Sequence, residues 1–140
     1  MAGESEIIVT FPGGKRVDAL VGGHVVQTDQ PVQGGGEDGH PTPFALFAAS
    51  MGTCAGIFVV GFCQKRGLSL EGIRIVERLR HAEDGALAGV DLDIEVPPTF
   101  PEKYRDALVR VADQCSVKRA IQAQPVFRVR TVVTGAGGPA

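Results

Sequence analysis

Tryptophan is absent from the chain, tyrosine occurs once, and cysteine only three times, at Cys54, Cys63 and Cys115. Three cysteines without a CxxC pair exclude the disulfide-stapled framework of a small secreted domain, so reduced thiols and a cytoplasmic location are expected. An excess of positive charge is also missing: 14 Lys and Arg face 16 Asp and Glu, for a net charge of -2. Binding to a nucleic-acid backbone rests on clustered cations, and no such partner is expected. The opening MAGESEIIVTF has neither a basic lead nor a long apolar core, so it does not read as a secretory leader. No internal repeat occurs and no linker divides the chain, which points to one domain over residues 1–140.

Hydrophobic residues make up 44% of the 140 positions, enough for a sizeable core, and 19 glycines and 9 prolines punctuate the pattern. Ile7–Phe11, the segment KRVDALV and the segment HVVQTD read as three strands, joined by turns at Pro12–Gly14 and Gly22-Gly23. A Gly/Pro-rich loop over 34–43 follows. Thr42 and Pro43 then make a good helix start, a cap followed by proline at the first position. From Phe44 to about Arg66 the helix is apolar on nearly every side, which predicts burial on nearly every side and no membrane partner. Gly67 stops it. Two strands, around Ile73–Leu79 and Val90–Val96, precede a helix opened by Pro101. A second helix, for which Ser116 is a candidate cap, leads to an alternating final strand from Val126. A tail at 135–140 is expected to fray. Strands and helices in this order give an α+β fold, not the alternating pattern of a nucleotide-binding sheet. A helix this apolar needs more cover than one small sheet provides, and a homodimer is the natural solution.

The thiols differ in setting. Cys54 and Cys63 are nine residues apart on one predicted helix, which puts them on opposite faces and about 13 Å apart, beyond disulfide reach. Cys63, near the helix end, reads as packing. Cys115 lies at a helix junction with Lys118 and Arg119 close by, a setting that favours a thiolate or an oxidised sulfur. Whether Cys115 meets Cys54 depends on the fold. His40 reads as an exposed loop residue or as part of a pocket mouth. A metal site built from Cys54, Cys115 and His40 has no supporting spacing.

The segment GGGEDGHPTPFALFAASMGTC, followed in the second half by RVADQCSV, resembles the OsmC/Ohr family of thiol-dependent hydroperoxide reductases. The resemblance extends along essentially the whole chain. It implies an OsmC-like fold, with antiparallel sheets wrapped around buried central helices in an intertwined homodimer. It also implies that Cys54 attacks an organic hydroperoxide and that Cys115 resolves the resulting sulfenic acid. An external small dithiol or lipoyl-type reductant would reduce the product without metal, haem or flavin. Arg16, the only arginine before the central helix, is the N-terminal candidate for the family's arginine over the thiolate. One position departs from the pattern: the hydroperoxide branch has a glutamate after the helix-opening proline, where this chain has Phe44. With Phe47 and His40, Phe44 becomes a candidate substrate-contacting residue in a more apolar pocket. A non-enzymatic dimer that binds an apolar ligand or senses thiol oxidation is the alternative reading.

Overall fold

The computed structural model describes residues 5–135. Strands β1 (Ile8–Gly13), β2 (Arg16–Val21) and β3 (His24–Thr28) form an antiparallel sheet in that order. The β2–β3 hairpin pairs Val21 with His24, and its two turn residues, Gly22 and Gly23, have φ of 54° and 85°. Two consecutive positive φ values are what a tight hairpin turn demands and what glycine supplies without steric cost.

Between β3 and the next helix the chain is held by one side chain. Asp29 is buried, and its carboxylate accepts from the amides of Gln30 at 2.8 Å, Gly39 at 3.1 Å and Glu37 at 3.3 Å. These amides, Gln30 first, hold the Asp29 carboxyl below its ordinary pKa. A short 3-10 turn over Val32–Gly34 lies within this loop.

Helix α1 (Pro43–Lys65) begins as the sequence implies: Thr42 Oγ accepts from the Ala45 amide at 3.1 Å, and proline occupies the first turn. It ends where Gly67 takes φ of 63° and the Leu68 amide reaches back to the Cys63 carbonyl at 2.9 Å. By length and composition alone α1 is apolar enough to cross a bilayer. Its Ala48, Met51, Ala55, Val59, Phe62 and Cys63 instead form a buried stripe. Strands β4 (Arg74–His81) and β5 (Leu87–Glu95) make a separate antiparallel pair. On its outer face Arg74 pairs with Glu95, Arg78 with Asp93, and Arg80 with Asp91 at 2.9 Å. The other face aligns Ile75 with Ile94, Glu77 with Leu92 and Leu79 with Val90. A 3-10 turn over Glu102–Tyr104 leads into α2 (Arg105–Ala112), and α3 (Ser116–Gln122) follows. The core joins the α1 stripe to Phe100, Leu108 and Ala112, bordered by Ile73, Ile75, Leu92 and Ile94.

One expectation is corrected. No strand forms in residues 124–135 among those described, and Val126, Phe127, Val129 and Val133 are each more than 80% exposed. Alternation marks a face to be covered, but a strand also needs a hydrogen-bonding neighbour, and none lies alongside. Within one chain the central helix buries one stripe, and its other face is open: Ile57 is 62% exposed and Phe44 48%. Within one chain α1 packs on α2, α3 and β4, and the β1–β3 sheet does not cover its remaining face.

Candidate active site

Cys54 leaves α1 at the edge of the buried stripe, and the α2–α3 junction comes up against it. Its Sγ lies 3.4 Å from the Ser116 hydroxyl. Cys115, the residue before Ser116, is among the side chains that lower the Cys54 pKa, so the fold brings the two cysteines into one neighbourhood. Both are free thiols. The Cys54 pKa falls from 9.0 to about 7, chiefly through the Ser116 hydroxyl, with further help from the Val117 amide and the Cys115 thiol. All of these hydrogen bonds favour the charged sulfur, and they outweigh the opposing desolvation. No cation is among the groups that lower it.

Cys115 is buried and is held differently. Its sulfur caps α3 by accepting from the Lys118 amide at 3.4 Å, and its S–H points to the Met51 carbonyl at 3.8 Å. The cap expected of Ser116 is therefore made by Cys115, and Ser116 is the first helical residue. That one-residue shift frees the serine hydroxyl to face Cys54. Lys118, near the junction, is engaged by Asp113.

Cys63 has the packing role expected of it. It is fully buried, and desolvation raises its pKa, with Arg66 opposing. Arg16 is not among the neighbours of Cys54. Its guanidinium pairs with Asp18 at 3.4 Å and lines a cleft of about 250 Å³ with Lys15, Asp29, Gly36 and Glu37. Its Nε is buried without a hydrogen-bond partner. His40 is half-buried in the loop near Asp29. Phe44 stacks at a tilt on Phe47, ring centres 5.7 Å apart, and on His81 at 6.3 Å. Phe47 lies two helical turns before Cys54, so the two share a face of α1. Among the described residues, no three His, Cys, Asp or Glu side chains group as metal ligands.

The sequence reading passed over two residues. Ser116 carried a signal, its place beside Cys115, but it was assigned to capping. Glu77 sits on the inward face of β4 against Gly52 of α1, and its Oε2 is buried without a partner. Desolvation there raises its pKa. Its alternation with Ile75 and Leu79 was the available signal.

A further opening adjoins the junction. A cavity of about 460 Å³ is walled by Met51, Ala55, Ile75, Leu92, Ile94 and Cys115, among others.

The helix that carries Cys54, approached by Cys115 from a distant helix junction, sits in an α+β frame that known proteins share. The chain belongs to the OsmC-like protein family, whose sequence pattern matches residues 35–130. Solved structures agree on the fold. A Psychrobacter arcticus protein named for osmotic stress induction and detoxification superposes with a TM-score of 0.71 at 20% identity, over 86% of this chain and 90% of that one. An organic hydroperoxide resistance protein OsmC of Legionella pneumophila gives 0.55 at 24% identity, over 86% and 92%. An organic hydroperoxide resistance protein of Elizabethkingia anophelis gives 0.55 at 19%, over 89% and 93%. No curated protein matches the chain.

Proposed function

We propose that this protein is a cytoplasmic, homodimeric, thiol-dependent peroxidase that reduces organic hydroperoxides, with Cys54 as the attacking residue and Cys115 as the resolving one. The observation that carries the reading is the meeting of the two thiols. Cys54 is half-buried with its pKa lowered to about 7, and the Cys115 thiol is among the groups that lower it. Family membership and the hydroperoxide-resistance names of two structural relatives support the reaction class.

In the first step the Cys54 thiolate gives an electron pair to the distal peroxide oxygen. The O–O bond breaks, Cys54 becomes a sulfenic acid, and the alkoxide leaves as alcohol with a proton from water. Cys115 then attacks the sulfenic sulfur, forming the disulfide and releasing water. An external dithiol restores both thiols and leaves as its own disulfide. Phe44 and Phe47 would offer apolar contact to the substrate's organic group, and His40 would stand at the loop side. No resident metal or cofactor enters the cycle. The uncovered face of α1, with Ile57 exposed, supports a homodimer, because a second protomer would remove that apolar surface from water. Arg16 enters only as a cation that such an assembly would bring to the thiol.

The test is consumption of cumene hydroperoxide by the reduced protein with excess dithiothreitol. Turnover is expected, with a Cys54–Cys115 disulfide trapped when the dithiol is withheld, and Cys54→Ser should abolish consumption. Turnover that survives this change, or its absence in the unaltered protein, would overturn the proposal.

One observation favours a second reading. The 460 Å³ cavity is largely apolar and reaches Cys115, whereas Cys54 does not line it. A protein that holds an apolar ligand there and registers oxidation at the thiol pair would oxidise once per chain without turnover.

A further inference from the structure

The two thiols meet on unequal terms, and the inequality has a visible source. Cys115 is tied to the main chain: its S–H faces the Met51 carbonyl at 3.8 Å, and its sulfur accepts from the Lys118 amide at 3.4 Å. Cys54 instead has a side-chain hydroxyl beside it, that of Ser116, 3.4 Å from its sulfur. Between a neutral thiol and a hydroxyl either group can donate. Once the thiol loses its proton the sulfur can only accept, and the hydroxyl must donate to it.

We propose that the Ser116 hydroxyl is a catalytic group of this site: by donating a hydrogen bond to the Cys54 sulfur it makes Cys54, not Cys115, the attacking thiol. The role in peroxide chemistry rests on the function proposed above, whereas the effect on the sulfur does not. Ser116 is suited to it because it is not the cap of α3. Cys115 holds the Lys118 amide, so the serine oxygen has no duty to the helix. Other charged groups leave the task to it. Of the titratable groups around Cys54, Cys115 belongs to the pair itself, and Lys118 is engaged by Asp113. From β4, Glu77 packs on Gly52, which is rotated about 200° around α1 from Cys54. Peroxide-reactive thiols are commonly assisted by a cation; within one chain the group beside Cys54 is a neutral donor.

The experiment follows iodoacetamide labelling of the Cys54 peptide against pH by mass spectrometry, in the full-length protein and in Ser116→Ala and Ser116→Thr. In Ser116→Ala the labelling midpoint should move upward, and the rate at pH 7 should fall roughly three- to tenfold, while the rate at high pH is kept. Ser116→Thr, which retains the hydroxyl, should stay close to the unaltered protein. Ser116 is exposed and alanine is a good helix former, so folding should survive, as circular dichroism would check. An unchanged midpoint in Ser116→Ala, or a threonine variant that behaves like alanine, would overturn the proposal. Cumene hydroperoxide turnover separates the two claims. If the unaltered protein has none while the midpoint still moves, the peroxidase reading fails and the role of Ser116 stands.

Discussion

Cys54 and Cys63 occupy the same helix nine residues apart, yet their thiols are pushed in opposite directions. At the first, hydrogen-bond donors from the α2–α3 junction bring the pKa down to about 7. At the second, enclosure by the core drives it up. The named causes are Ser116, Val117 and Cys115 at the first and burial at the second. Reactivity follows from what packs against each face: an edge crossed by polar groups in one case, a sealed apolar interior in the other.

The contrast can be broken first by direct alkylation. At pH 7 about half of Cys54 is thiolate and about one hundredth of a thiol at its ordinary pKa of 9.0. A less basic sulfur attacks more slowly once ionised, which takes back part of that advantage, while the burial of Cys63 restores it. Labelling of Cys54 at pH 7 should therefore exceed that of Cys63 by roughly tenfold or more. Equal labelling, measured peptide by peptide, would mean that the two environments are not distinct.

A smaller effect separates their structural roles. Cys63→Ala should lower stability by about 1 kcal/mol, because it empties space in a packed core, while leaving peroxide consumption unchanged. Cys54→Ser should do the reverse. Urea denaturation alongside a turnover assay distinguishes them, and a Cys63 variant that loses activity with its fold intact would reassign the working thiol.

The smallest expected effect concerns Glu77, a polar residue on the core-facing side where Cys63 is apolar. Its folded pKa is raised by desolvation, so the folded state binds the proton more tightly than the unfolded chain. Its contribution to stability is then most favourable below the unfolded pKa and is lost as pH rises through the folded value. Glu77→Gln should accordingly raise stability at neutral pH by about 1 kcal/mol or less, with the gain shrinking toward pH 4. Melting temperatures at the two pH values check the sign; a gain that grows on acidification would contradict it.

Much of this arrangement was legible residue by residue. The Gly22-Gly23 turn, the Thr42 cap, Pro43 at the helix start and the stop at Gly67 are local signals, and each acts within a few residues of itself. Residues 126–133 show where such reading stops: the pattern of a strand is present, but its formation needs an edge to pair with, which no local pattern supplies. The cap of α3 shows a finer limit, since serine and cysteine stood side by side and preference favoured the serine, whereas backbone geometry gave the role to Cys115.

By itself the sequence determined the span of the central helix and the opposite orientation of Cys54 and Cys63, because a fixed helical period converts spacing into direction. Only the tertiary structure decided that Ser116 and Cys115 meet Cys54, across 62 positions of chain in the case of the serine. Such contacts depend on how α2 and α3 pack against α1, which is set by the whole core around Leu108, Ala112 and Phe62 and not by any residue at the site.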